Sequence, residues 1–358
     1  MNDAICAADW VSAPGRTMLE MLDESSRSVL DLASHLGCGR GAVEALLAGE
    51  QTVTETTAAL LSTFFQTTTS FWVKRESQFR ARLELMKANG GSEWMKKLPL
   101  ADMVAFQWVG AGSDSERLIQ CLNFFECSGI AEWERRYGAV LNRTLFRKST
   151  AFDSEVESVS AWLRQGERLA RLVNTPLWSP TNLRAQLSSL RALSRVSDPS
   201  KFVPELVRIC SSAGVAVVVV RTPQRCPASG AARFLSPEKA VIQLSFRHLS
   251  DDHFWFSLFH EIGHLLLHGE ETIHLEETDR QNGKEEEEAN EFAADVLVPR
   301  AERTRMLGLG EDTRSIVRFA TQIGTSPGIV VGQMQHYGVI EHSRMNALKK
   351  RYIWNTNP

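Results

Sequence analysis

The chain has 358 residues, 43% of them hydrophobic and 23% charged, with a formal net charge of -3 and a pI near 6.3. That length supports two or three domains with cores of their own, and the charge balance gives no whole-chain attraction to nucleic acid or anionic lipid. No apolar run reaches the roughly 18 residues of a membrane span, and the opening MNDAICAADW lacks the basic region and apolar core of a signal peptide. The six cysteines, at positions 6, 38, 121, 127, 210 and 226, form no CxxC pair. These features set the expectation of a cytoplasmic protein with reduced thiols and no membrane association.

The first elements are helical. PGRTMLEMLDE starts at Pro14 and spaces Met18, Leu19 and Leu22 as a helix would. Two short helices follow, over residues 28–35 with Leu32 and Ala33, and over 39–47 with Val43, Leu46 and Leu47. Leu36-Gly37 supplies the turn between them, and Gly49 ends the second. Thr54 then caps a helix carrying Ala58, Leu61 and Phe65 on one face. This is a helix-turn-helix layout. The segments PGRTMLEML, LASHLG, VEALLAG and Ser70-Phe71-Trp72 make it resemble the antitoxin-type branch of the bacterial Xre repressor-like domains. The resemblance implies a DNA-reading module with its second helix in the major groove, where Arg40, Gly41 and Glu44 are the candidate contacts. Charge opposes strong binding: residues 1–72 hold three basic residues, Arg16, Arg27 and Arg40, against nine acidic ones. Lys74, Arg75, Arg80 and Arg82 follow and can add backbone contacts. The competing expectation is a module that pairs with a second copy or docks a protein partner.

Residues 91–179 carry no strand signal. Val156, Val159, Leu163, Leu169 and Val173 trace a helical stripe, and Trp94, Trp108, Trp133 and Trp162 argue for a packed helical connector. Beyond Pro180, helices are expected over 181–193 and again up to Gly214. VAVVVV (215–220) reads as a buried strand, RTPQRCPASGAARF as a turn-rich loop, and AVIQLSF (240–246) as a second strand. A helix through FWFSLFHEIGHLLLH comes next, then an acidic loop, a helix from Glu285 to Val298 stopped by Pro299, and helices from Thr313 to about Trp354.

HEIGH is the segment with chemistry. His260 and His264 lie four apart on one helix face, so both imidazoles can reach one zinc ion, and Glu261 sits one residue round, placed to work on water. Phe256, Phe259, Ile262, Leu265 and Leu266 supply an apolar bed. Gly263 costs about 1 kcal/mol of helix stability against alanine, which a close-lying strand would explain. His268 lies a further turn along, out of a shared metal's reach. Leu267 and Glu270 stand where the longer three-histidine motif needs glycine and histidine, which excludes that subclass. The third ligand is therefore sought on the EEEEANEFAADVLVP helix, whose buried side (Ala289, Phe292, Ala293, Val296, Leu297) extends backward to Glu285 and Glu286.

HEIGHLLLH, followed by Glu286, Ala289-Asn290, Phe292-Ala293, Leu297 and Pro299, resembles the ImmA/IrrE family of gluzincin-type metallopeptidases over about residues 180–345. The resemblance implies Zn²⁺ held by His260, His264 and Glu286, with Glu285 the rival register, and Glu261 as general base. It implies a zinc endopeptidase acting on a regulatory protein, a repressor or antitoxin, in a bacterial stress, toxin-antitoxin or mobile-element response. The other reading is a transcriptional regulator whose peptidase-like domain senses or binds. Oxyanion stabilisers are sought among His248, His253 and Arg233, and an extended substrate is expected to pair with strand 240–246. The expected architecture is mostly helical α+β. A helix-turn-helix domain spans 14–90, the connector 91–179, and a zincin-like domain with a small sheet 180–354.

Overall fold

A computed structural model describes residues 13–138, 156–247, 250–269, 274–277 (backbone only) and 283–352. The chain divides into two compact units, residues 1–161 and 162–358, the division falling inside the helix Val156–Leu172. The architecture is mostly helical α+β, with one small sheet in the second unit. No described helix is long and apolar enough to cross a membrane, and the described cysteines are free thiols.

In the first unit, helices α1 (Pro14–Glu24), α2 (Val29–Leu36), α3 (Arg40–Leu47), α4 (Glu55–Phe65) and α5 (Thr69–Met86) enclose a core of Met18, Leu22, Leu32, Val43, Leu46, Leu61 and Trp72. The local chemistry explains the boundaries. Ser28 and Asp31 form a reciprocal capping box at the start of α2, and Gly37 ends it with a left-handed φ of 64°. Thr54 accepts from Thr57 N at the start of α4 as expected, but Phe64 rather than Phe65 completes its buried face. Gly15 is required by packing. A Cβ there would lie 1.9 Å from the Leu47 carbonyl, so α1 meets α3 through bare backbone. Further along, Trp94, Trp108 and Trp133 are buried, with Trp94 and Trp133 ring centroids 5.6 Å apart. Trp94 and Trp133 lie on the helices Ser92–Lys97 and Ile130–Trp133, and Trp108 follows the helix Leu100–Ala105.

The sheet of the second unit has the order β1-β3-β2-β4. Its strands are β1 (Val215–Val219), β2 (Ala228–Ser236), β3 (Lys239–Leu244) and β4 (His274–Glu277). β1 runs parallel to β3, while β2 is antiparallel to both β3 and β4. Two strands correct the sequence reading. β2 occupies part of the expected turn-rich loop because Ala-Ser-Gly-Ala-Ala carries little strand propensity and is held by pairing on both edges. β4 lies within the expected acidic loop. A third correction concerns β3, expected to receive substrate: β1 and β2 flank it, so neither of its edges is open.

Against the sheet lies the helix Asp251–Leu267, hereafter the HEIGH helix. Trp255, Leu258, Phe259 and Ile262 are fully buried with Phe202, Leu206, Val217 and Ile242, each large side chain contributing about 1.5–3 kcal/mol. Its N-terminus is pinned through Asp251, which accepts from Ser326 Oγ at 2.7 Å and Lys350 N at 2.9 Å. The helix Lys284–Leu297, hereafter the acidic helix, packs beside it. The contact is made at Gly263, where a Cβ would stand 3.2 Å from Ala289 Cα and 3.2 Å from Phe292. The close neighbour that explains this glycine is thus a helix, not the expected strand.

Candidate metal centre

The HEIGH helix places the imidazoles of His260 and His264 one turn apart on a single face, and the acidic helix brings Glu286 against them. The two Nε2 atoms are 2.9 Å apart; Glu286 Oε2 lies 3.3 Å from His260 Nε2, and Oε1 lies 3.6 Å from His264 Nε2. Zinc bonds of 2.0–2.1 Å in a tetrahedron separate their donor atoms by about 3.3 Å. The observed triangle therefore has the dimensions of a metal's donor face, and these three residues form a group able to hold a metal ion. Glu285 is exposed and outside the group, so of the two rival positions it is Glu286 that faces the histidines.

Burial tunes the donors. The histidine side chains are 2% and 1% exposed. For His264, burial is the leading cause holding the imidazole below its ordinary value, outweighing the upward pull of Glu286. Burial acts on Glu286 in the opposite sense, raising it. The polar contacts of its carboxylate with His260 and His264 overcome that, and its carboxyl falls well below the usual range. A neutral His264 and an ionised Glu286 are in the protonation states a metal requires of its ligands.

Behind the donor atoms lies another layer. His260 Nδ1 donates to Asn290 Oδ1 at 2.9 Å. His264 Nδ1 lies 3.0 Å from His268 Nδ1, and His268 Nε2 lies 3.1 Å from Glu288 Oε2. His268 is outside the group of three, yet it is connected to it through His264. The sequence signal for Asn290 is its place one turn after Glu286 on the same helix face. Glu288 gives no comparable signal.

Glu261 is fully buried on the sheet side of the helix. A Cβ on Gly230 of β2 would stand 2.5 Å from Glu261 Oε1 and 2.9 Å from its Cγ. Gly230 is therefore a site residue that sequence reading missed, its only signal being a glycine inside a strand. A cavity of about 640 Å³ opens beside the donor triangle, walled by His253, Phe256, His260, Glu286 and Asn290 and bordered by the helix Pro327–His336. Of the three expected oxyanion stabilisers, His253 lines this cavity, while His248 lies outside the described residues. Arg233 is drawn elsewhere: it is 9% exposed, and its Nη2 donates to the Leu163 carbonyl at 2.7 Å. Arg303, His336, Tyr337 and His342 also border the cavity. In the first unit, the candidate DNA contacts Arg40 and Glu44 bind each other at 2.7 Å on an exposed face, and nothing lies within 4 Å of a Cβ at Gly41.

Two histidines four apart on one helix and a glutamate from a second helix match the donor set of a metallopeptidase centre. Residues 213–331 match the sequence profile of the family described as Peptidase_M78, IrrE N-terminal-like domain. That stretch contains the sheet, the HEIGH helix and the acidic helix. No curated protein shows a significant match to the chain.

Proposed function

We propose that the protein is a zinc-dependent endopeptidase whose front end is a repressor-like helix-turn-helix module, and that it cleaves a regulatory protein such as a repressor or antitoxin. The observation that carries this reading is the donor triangle of His260, His264 and Glu286 with Glu261 next in the same helix. When bound, zinc would polarise the scissile carbonyl and acidify a water molecule. Glu261 takes the water's proton and returns it to the departing amine. Its confinement against Gly230 limits the carboxylate to one location, which favours a fixed proton path. His260, His264 and Glu286 hold the charge in place, and Phe256 and the other apolar walls of the cavity exclude bulk water from the leaving group. An extended substrate segment would add to β4, whose outer edge has no strand partner among the described residues.

The burial of Glu261 favours a second reading, in which the same domain binds metal and a protein partner with little turnover and the front end regulates transcription. Incubating the purified protein with the product of the adjacent gene, with and without a chelator, separates the two. Cleavage that needs both zinc and Glu261 is the expected result. Sequence-specific DNA binding with no cleavage would establish the regulator instead.

A further inference from the structure

The contacts behind His264 form a chain whose polarity can be worked out from its far end. Glu288 is a carboxylate and can only accept hydrogen bonds. At 3.1 Å from Glu288 Oε2, His268 Nε2 must therefore carry a proton. When that is the only proton on the ring, His268 presents a lone pair at Nδ1, and the group facing it at 3.0 Å, His264 Nδ1, is the donor. With its proton on Nδ1, His264 is left with a lone pair on Nε2, the atom that faces His260 and Glu286. The choice of tautomer at a buried ligand is thus made by an acceptor on the surface of the neighbouring helix. Its side chain is 43% exposed, whereas that of His268 is 5% exposed and has little room to turn.

We propose that His268 and Glu288 are positioning residues that fix the tautomer and ring orientation of His264 and so set the affinity of the site for zinc. The inference rests on the metal-site reading above and adds two residues that do not touch the metal. The same acidic helix supplies Glu286 as ligand, Asn290 as the acceptor for His260, and Glu288 as the end of the His264 chain. Outer partners of this type commonly contribute 10–100-fold to metal affinity.

The test is a zinc titration of the full-length protein against a fluorescent chelator at physiological ionic strength. His268→Ala should bind zinc about 10–100-fold more weakly than wild type. Glu288→Gln keeps a carbonyl acceptor and should stay within about threefold, while Glu288→Ala should weaken binding. Glu288→Lys offers only donors, forces the His268 proton onto Nδ1 and sets two N–H groups head to head. It should therefore be weaker than both Glu288→Ala and Glu287→Lys, the latter making the same charge change beside it. Should His268→Ala fail to fold, the exposed Glu288 series stands alone. Imidazole ¹⁵N spectra of the zinc-loaded wild type should show His268 protonated at Nε2 and His264 at Nδ1. Zinc affinity in His268→Ala within threefold of wild type, equal effects of Glu288→Lys and Glu287→Lys, or a His268 proton on Nδ1 would each overturn the proposal. Failure of the wild type to bind zinc would remove the underlying reading as well, so the two failures are distinguishable.

Discussion

Gly230→Ala is the most informative single change in the site. The added methyl would stand 2.5 Å from Glu261 Oε1, about 1 Å inside ordinary contact. Two relaxations are open. β2 can move outward, which strains its pairing at Leu244 and Glu276 and costs about 0.5–1.5 kcal/mol for each hydrogen bond lost. Alternatively the Glu261 carboxylate can swing aside, at about 0.5–1.5 kcal/mol for an off-rotamer side chain. Moving β2 strains pairing on both its edges, whereas the swing costs one such term, so the methyl displaces the Glu261 carboxylate before it disturbs the sheet. Overpacking of this kind typically costs about 1–3 kcal/mol, and at about 2–4 °C per kcal/mol for a unit of this size the melting temperature should fall by about 2–12 °C. His260, His264 and Glu286 are untouched, so zinc content should stay at the wild-type level. On the proposed mechanism, peptide cleavage should fall by about 10²–10⁴-fold, the usual contribution of a general base. Thermal unfolding, metal analysis and a gel-based cleavage assay check these together. An unchanged melting temperature, or full cleavage by Gly230→Ala where Glu261→Gln is inactive, would refute the argument that β2 confines this carboxylate.

The remaining predictions concern the other parts of the molecule. Glu286→Ala should abolish zinc binding in a chelator competition, whereas Glu285→Ala should leave it unchanged; the reverse result would move the ligand by one residue. In the metal-free protein, His264 titrates below its ordinary 6.5 and Glu286 below 4.5, so both contribute stability that is present above those values and lost as pH falls. The melting temperature should begin to drop as pH passes below 6.5 and drop further below 4.5, with the first step reduced in His264→Gln. In fluorescence anisotropy with duplex DNA, Glu44→Ala should tighten binding by releasing Arg40, and Arg40→Ala should weaken it by about 1–3 kcal/mol. Equal affinities of both variants and wild type would direct the first unit toward a protein partner.

How much was legible beforehand differs from element to element. Apolar spacing located α2, the HEIGH helix and the acidic helix, Thr54 marked the start of α4 and Pro299 the end of the acidic helix, because these signals are local. The HEIGH spacing alone placed two imidazoles on one face, since four residues is nearly one helical turn. The weak strand β2 was invisible, because its alanines, serine and glycine acquire their conformation from β3 and β4 rather than from their own propensities. The role of Gly230 was hidden for the same reason, as it depends on a helix that follows some thirty positions later. Sequence, then, determined the two candidate metal-ligating histidines, the helix that carries them and the acidic segment that supplies their partner. Only the tertiary structure decided that Glu286 and not Glu285 turns inward, that β3 is enclosed, and that His268 reaches His264 and Glu288. Each of those outcomes depends on how two elements meet, and the rotation of one helix against another is set by packing at contacts such as Gly263 with Ala289, which no local pattern encodes.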